Sequence, residues 1–122
     1  MTIDVYWGSG SPYSWRVLLA LEHKGLEYRS HLLQIALQEQ KSPHMLAMNP
    51  RGRVPTLKDG DYVVFESLAV MYYLERKYPA KPLFGNSPEE GAVIISGEKG
   101  LIGASRIEAT GVYNVIWRSV FD

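Results

Sequence analysis

The chain has 122 residues, which suits one domain, or one domain with part of another. It has neither a membrane-spanning apolar run nor a signal-peptide pattern at its start, so we expect a cytoplasmic protein. Thirteen basic residues balance thirteen acidic ones, so we expect no membrane or nucleic-acid partner. The absence of cysteine excludes disulfides, thiolate metal sites and redox chemistry on the protein's own sulfur.

The chain begins with an alternating apolar run over residues 3–7, which predicts a strand. Ser11 and Pro12 then predict the start of a helix, with serine as the N-cap and proline at the first helical position. Gly25 is typical of the residue that ends such a helix, and residues 26–33 alternate loosely as a second strand. A β-α-β unit of this kind places its strands parallel, with a right-handed crossover.

The next stretch is polar, and a short helix is predicted over residues 43–48. Two short strands follow, over residues 54–58 and 62–65. Asp59 and Gly60 between them predict a type I′ hairpin turn, because glycine accepts the positive φ that this turn requires.

A further helix is predicted over residues 67–78, with Ser67 as its cap and Pro79 ending it. Its apolar residues are expected on one side, namely Leu68, Met71, Leu74 and Tyr78. The order β-α-β-(α)-β-β-α predicts an α/β fold with a four-stranded mixed sheet and helices on its faces.

The last part of the chain starts with a capping box from Ser87 to Glu90, which predicts another helix. Glycines 91, 97, 100 and 103 follow closely and argue against a long helix. Helical spacing returns near the end in a stripe that we expect to be a packing face, formed by Val112, Tyr113, Ile116, Trp117 and Val120.

Four stretches together resemble the N-terminal domain of cytosolic glutathione transferases, in particular the serine-type zeta and theta classes. They are SPYSWRV at residues 11–17, NPRGRVPTL at 49–57, ESLAV at 66–70 and LERKYP at 74–79. The resemblance implies a thioredoxin-like glutathione-binding domain over residues 1–86. It also implies that residues 87–122 are a partial or atypical start of an all-helical C-terminal domain.

Ser11 matches the serine that hydrogen-bonds the glutathione sulfur in these classes. A hydroxyl donor at a helix N-terminus favours the thiolate, which is the nucleophilic form. Ser11 could instead serve only as a helix cap, and Ser9, Ser14 and Tyr6 are alternative donors. Tyr13 stands where the zeta class carries cysteine.

The resemblance also implies the residues that bind glutathione. Val54 would offer its backbone to the cysteinyl unit, before Pro55 in a cis peptide bond. Glu66 and Ser67 would bind the γ-glutamyl ammonium and carboxylate at a helix N-terminus, which is a natural anion site. Arg53 and Gln40 match positions that reach the glycine carboxylate, although either could be a solvated surface side chain.

The implied function is conjugation, in which glutathione is the cosubstrate and its thiolate attacks a small apolar electrophile. No metal is expected, because the three histidines show no metal-ligand spacing. A homodimer is a further expectation from the resemblance. The alternative is a transferase-like module that binds another protein without catalysis.

Overall fold

The structure is a computed structural model that describes residues 2–96. The predicted packing stripe at residues 112–120 and the glycines from Gly97 onward lie outside these residues. No helix in the described part is long and apolar enough to cross a membrane. The elements are β1 (Ile3–Gly8), α1 (Pro12–Lys24), β2 (Tyr28–Leu33), α2 (Pro43–Met48), β3 (Thr56–Asp59), β4 (Tyr62–Phe65), α3 (Ser67–Lys77) and α4 (Pro88–Ser96), with short 3-10 turns at Ile35–Leu37 and Glu39–Lys41.

The four strands form one mixed sheet in the order β2-β1-β3-β4. β1 is parallel to β2 and antiparallel to β3, and β3 is antiparallel to β4. The predicted α/β fold, with a β-α-β unit followed by a hairpin, is therefore confirmed. Two strands start later than predicted. β2 begins at Tyr28 instead of residue 26, and β3 begins at Thr56 instead of residue 54.

Both predicted ends of α1 are confirmed. The Ser14 N–H donates to the Ser11 hydroxyl oxygen at 3.2 Å, which satisfies one of the N–H groups that a helix leaves free at its start. Gly25 ends the helix with a φ of 66°, in the left-handed region that favours glycine.

The hairpin turn between β3 and β4 differs from the predicted type. Asp59 pairs with Tyr62, which leaves Gly60 and Asp61 as the two turn residues. Gly60 has a φ of 62°, but Asp61 is not among the residues with positive φ. A type I′ turn needs positive φ at both positions, so the prediction of this type was wrong. The hairpin itself was predicted correctly, but its turn lies one residue later than the predicted Asp59 and Gly60.

The core lies between one face of the sheet and helices α1 and α3. On α3 the buried face is formed by Val70, Met71 and Leu74, and Leu68 is 58% exposed. At about 100° per residue, Leu68 points about a third of a turn away from the centre of that face, so the prediction that it shares one side with Met71 and Leu74 was wrong. The core residues are Ile3, Val5, Val17, Ala20, Leu21, Leu57, Val64, Val70, Met71, Leu74 and Leu83.

A buried ion pair joins the ends of α1 and α3 to the segment that leads into α4. Lys24 donates from Nζ to Glu75 Oε1 at 2.8 Å and to the Tyr78 carbonyl oxygen at 2.7 Å. The Glu75 carboxylate in turn accepts from the backbone N–H groups of Leu83 and Phe84, both at 3.1 Å. The Lys24 side chain is 1% exposed, so these hydrogen bonds replace the water contacts that its ammonium group loses on burial.

The start of α4 confirms the predicted cap. Glu90 donates its backbone N–H to the Ser87 hydroxyl oxygen at 3.1 Å. α4 continues through Gly91. A Cβ at Gly91 would lie 3.3 Å from the Phe84 carbonyl oxygen, so glycine allows this close approach.

The opposite face of the sheet carries a buried carboxylate. Arg29 donates from Nε to Asp4 Oδ1 at 2.8 Å and from Nη2 to Oδ2 at 3.0 Å. His31 Nε2 also lies 2.8 Å from Asp4 Oδ1. The Arg29 hydrogen bonds, helped by His31 and opposed by burial, hold the pKa of Asp4 below its usual range.

We expect Asp4→Asn to flatten the acid side of the stability curve. The folded pKa of Asp4 lies below its unfolded value of about 3.9, so the unfolded chain binds more protons in this window. The contribution of Asp4 to stability is present above about pH 4 and is lost as the pH falls through the folded pKa. Urea unfolding of both proteins across acidic pH measures the difference in slope.

Arg29→Gln is the matched variant for this prediction, because Arg29 is the largest cause of the lowered pKa. It should reduce the same slope while it leaves the Asp4 carboxyl in place. Parallel stability curves for the wild type and both variants would show that Asp4 does not govern acid unfolding.

Candidate functional site

A cleft of about 320 Å³ opens where three segments of the chain meet. They are the first turns of α1, the loop between α2 and β3, and the start of α3. Five of the seven predicted site residues lie in it together. The cleft is lined by Tyr13, Arg16, Asn49, Arg53, Val54, Pro55, Glu66, Ser67 and Leu68.

The buried side chain of Asn49 shapes the middle of the cleft. Its amide nitrogen donates to the Arg53 carbonyl oxygen at 3.0 Å and to the Thr56 hydroxyl at 3.1 Å. Its amide oxygen accepts the Arg51 N–H at 3.0 Å. A single side chain therefore ties the end of α2 to both ends of the loop that precedes β3.

The Val54–Pro55 peptide bond is cis, as the resemblance implied. Val54 is half-buried and Pro55 is buried. Strand pairing of β3 starts only at Thr56, which pairs with Tyr6 and Phe65. The Val54 backbone thus lies in the cleft, beyond the last paired residue of the sheet.

The start of α3 supplies the acidic side of the cleft. Glu66 occupies the N-cap position with φ 74° and ψ 120°, and its carbonyl oxygen accepts the Val70 N–H at 2.9 Å. Ser67 is the first helical residue and is buried, so its prediction as the cap was wrong. The first N–H groups of α3 have no partner within the helix, and Ser67 and Leu68 at this end of the helix line the cleft.

Ser11 and its alternatives lie outside the cleft lining. Ser11 is half-buried at the cap of α1, one residue before the segment that carries Tyr13 and Arg16 into the cleft. Ser14 is completely buried, and its hydroxyl oxygen accepts the Gly8 N–H at 3.4 Å. Burial makes Ser14 a structural residue of α1.

The other two alternatives differ in their surroundings. Ser9 is exposed in the loop before α1. The Tyr6 ring stacks on His31 with centroids 4.5 Å apart and meets the edge of His44 at 6.1 Å. Burial, followed by the negative charge of Asp4, raises the pKa of the Tyr6 phenol. These contacts favour a packing role for Tyr6 on the α2 side of the sheet.

Gln40 lies beside the cleft on the 3-10 turn Glu39–Lys41. Its carbonyl oxygen would be 3.7 Å from a Cβ on Gly52, so this turn packs against the loop that precedes β3. The Gln40 side-chain oxygen is buried and accepts no hydrogen bond within residues 2–96. Gln40 is the only predicted binding residue, apart from Ser11, that does not line the cleft.

Sequence reasoning missed four residues of the cleft, namely Tyr13, Arg16, Asn49 and Leu68. Tyr13 and Arg16 are three residues apart on α1 and therefore share a face, and the Arg16 guanidinium lies 5.5 Å from the Tyr13 ring centroid. This spacing was a usable signal, because the neighbouring positions Ser14 and Val17 are buried. Asn49 was included only as the first residue of the stretch at 49–57 that resembles the family, since nothing local shows that its side chain is buried.

Comparison with known proteins identifies the family. Residues 10–77, more than half of the chain, match the model of the glutathione S-transferase N-terminal domain. Glutathione S-transferase A from Pleuronectes platessa is 43% identical over 95 residues, which cover 75% of this chain and 42% of that relative. Glutathione S-transferase 1 from Schizosaccharomyces pombe is 46% identical over 70 residues, which cover 55% of this chain and 31% of the relative.

Solved structures agree with this result. A glutathione S-transferase from the Antarctic clam Laternula elliptica superposes with a TM-score of 0.76 at 43% identity, covering 88% of this chain and 50% of that one. A theta class glutathione S-transferase from Xanthomonas axonopodis pv. citri, solved with glutathione bound, has a TM-score of 0.68 at 33% identity and covers 78% and 45%. This chain thus spans half or less of the length of these relatives.

Replacing the buried Asn49 tests how the cleft is held together. We expect Asn49→Ala to lower the free energy of unfolding by about 2–3 kcal/mol, because it removes three hydrogen bonds from a side chain in the protein interior. Asn86→Ala, at an exposed position before α4, is the matched control and should change stability by less than about 0.5 kcal/mol. Urea unfolding followed by circular dichroism gives both values, and equal effects would contradict the structural role of Asn49.

Proposed function

The chain belongs to the glutathione S-transferase family, and on that premise we propose that its cleft binds reduced glutathione and supports attack of the thiolate on small apolar electrophiles. One observation carries the proposal. The Glu66 carboxylate, the free N-terminus of α3 and the Val54 backbone beyond the sheet line the same cleft. These groups match the ammonium and the carboxylate that glutathione carries on one carbon, and the peptide backbone that follows them.

The γ-glutamyl end would bind at the start of α3. The Glu66 carboxylate accepts the ligand ammonium, and the Ser67 hydroxyl and the first N–H groups of α3 donate to the ligand carboxylate. The helix N-terminus carries partial positive charge, which favours the anion. The negative Glu66 carboxylate would therefore face the ligand ammonium, and the positive N-terminus of α3 would face the carboxylate on the same ligand carbon.

The middle and the far end of the tripeptide would follow the loop before β3. The Val54 N–H and carbonyl pair with the cysteinyl backbone in the manner of an added strand. Arg53 lines the cleft and can donate two parallel hydrogen bonds to the glycine carboxylate. Gln40, next to the same loop, would donate its side-chain amide to this carboxylate.

Ser11 is the proposed activator of the thiol. A hydroxyl has one donor and two acceptor positions, and at Ser11 one acceptor is occupied by the Ser14 N–H. The O–H proton is therefore still available to donate to the glutathione sulfur. Capping the helix and stabilising the thiolate are compatible roles for one side chain, and both use the N-terminus of α1.

Several wider statements stay predictions. They are the division into a glutathione-binding domain at residues 1–86 and a helical part from residue 87, assembly into a homodimer, and a cytoplasmic location. The electrophile is defined only by class, as a small apolar compound.

Calorimetric titration of the purified chain with reduced glutathione tests the binding proposal. We expect saturable one-site binding, and Glu66→Gln should weaken it by roughly 10- to 100-fold, because a charge-assisted hydrogen bond is lost. Glu27→Gln is the matched control, at an exposed position after the far end of α1, and should bind as the wild type does. Absence of binding by a folded wild-type sample would favour the non-catalytic interaction module.

The pH dependence of conjugation tests the role of Ser11. A free cysteine-type thiol has a pKa of about 8.5, and donation from Ser11 to the bound thiolate should lower this value. Ser11→Ala should move the pKa seen in the kcat/KM profile back towards about 8.5. The rate should therefore fall most near neutral pH and least in alkaline solution.

Two further variants separate thiol activation from helix capping. Ser11→Thr keeps both the cap and the hydroxyl, so its profile should resemble that of the wild type. Ser9→Ala removes a hydroxyl from the exposed loop and should have no effect on the profile. An unchanged profile in Ser11→Ala would refute the assignment, and chlorodinitrobenzene is a suitable electrophile for the measurement.

A further inference from the structure

Glu66 occupies the N-cap position of α3 but does not cap the helix. Its side chain makes no hydrogen bond to the first N–H groups of α3. It lines the cleft, and its Oε1 is bonded instead by Nη1 of Arg51, which belongs to the loop before β3. The contact with Arg51 involves only one of the two carboxylate oxygens.

Arg51 is held in place at both ends. Its backbone N–H donates to the buried Asn49 side chain at 3.0 Å. Its guanidinium lies 5.7 Å from the centroid of the Phe65 ring, directly before Glu66 in the chain. The guanidinium thus contacts Glu66 from the loop before β3, a different segment of the chain from α3.

The ion pair contributes little to stability. The side chains of Arg51 and Glu66 are 59% and 53% exposed, and exposed pairs of this kind are weak in water. A role in stability alone therefore does not explain the contact that Arg51 makes. The contact also determines where the Glu66 carboxylate lies.

Without Arg51, Glu66 still lies directly beside the positive N-terminus of its own helix. A carboxylate near the first turn is attracted by the free N–H groups there. Those N–H groups, at Ser67 and the two residues that follow, are the ones that the ligand carboxylate needs. Glu66 would then cap α3 itself and compete with the ligand.

We propose that Arg51 is a positioning residue that keeps the Glu66 carboxylate off the N-terminus of α3. The cleft then presents separate places for an ammonium and a carboxylate, and it selects ligands that end in a zwitterionic α-amino acid group. This inference rests on the proposed binding of glutathione. It adds a residue outside the cleft lining that determines which ligand end fits.

The first experiment is a titration of wild type, Arg51→Gln and Arg51→Lys with glutathione. We expect Arg51→Gln to weaken binding roughly three- to tenfold, since the ligand carboxylate must displace Glu66 from the helix. Arg51→Lys keeps a cation beside Glu66 and should restore most of the affinity. The thermal midpoint of Arg51→Gln should not fall, because a self-capped α3 replaces the lost pair.

A ligand analogue identifies the group through which Arg51 acts. The 4-aminobutyryl analogue of glutathione has the ammonium but lacks the α-carboxylate, so it does not compete with Glu66 for the helix N-terminus. Its affinity should be less sensitive to Arg51→Gln than that of glutathione. Equal losses for both ligands would overturn the proposed mechanism.

A double-mutant cycle separates positioning from direct contact. In the Glu66→Gln background there is no carboxylate to occupy the helix N-terminus, so Arg51→Gln should have no further effect on the glutaryl analogue, which keeps the α-carboxylate and lacks the ammonium. A full effect in this background would mean that Arg51 contacts the ligand itself, and the inference would be wrong.

The outcomes also distinguish this inference from the function on which it rests. Equal glutathione affinity in the wild type and Arg51→Gln overturns the inference alone. Absence of glutathione binding by the folded wild type overturns both.

Discussion

The cleft depends on one buried amide. Asn49 is 2% exposed, and it satisfies the Arg53 carbonyl, the Thr56 hydroxyl and the Arg51 N–H from a single side chain. A loop between a helix and a central strand must find hydrogen-bond partners for its backbone groups outside the regular pairing of a sheet. A single asparagine side chain can supply them, because its amide carries both donors and an acceptor. The positions of Val54 and Arg51 both follow from this arrangement.

The cleft combines charges of both signs. The start of α3 offers a carboxylate on Glu66 next to the positive end of the helix, and Arg16 and Arg53 line the same cleft. Opposite charges at fixed positions discriminate by geometry, because a ligand with its charges in another arrangement leaves groups desolvated and unpaired. On the proposed function, this lining would suit a zwitterionic end group better than a simple anion or cation.

The parts of the fold that sequence predicted correctly are those decided by near neighbours. The caps at Ser11 and Gly25 involve only residues within about one helical turn, so the residue types along the sequence are enough to predict them. Ser67 was wrongly assigned because the turn after β4 places Glu66 at a φ of 74°, so that α3 begins one residue earlier than the serine suggests. In the cleft, Arg53 and its neighbours came from family resemblance, whereas the burial of Asn49 depends on tertiary packing that local pattern does not contain.

In the proposed function, binding of glutathione and activation of its thiol use different elements of the chain. The cleft lining comes from α3, the loop before β3 and the side of α1 that carries Tyr13 and Arg16. Ser11 stands at the cap of α1, outside this lining, where its hydroxyl already satisfies the Ser14 N–H. On this proposal we expect loss of the Ser11 hydroxyl to affect the ionisation of a bound thiol more than the affinity for the tripeptide. We expect changes at Glu66 to affect the affinity more than the ionisation, because the γ-glutamyl group of glutathione is far along the ligand from its sulfur.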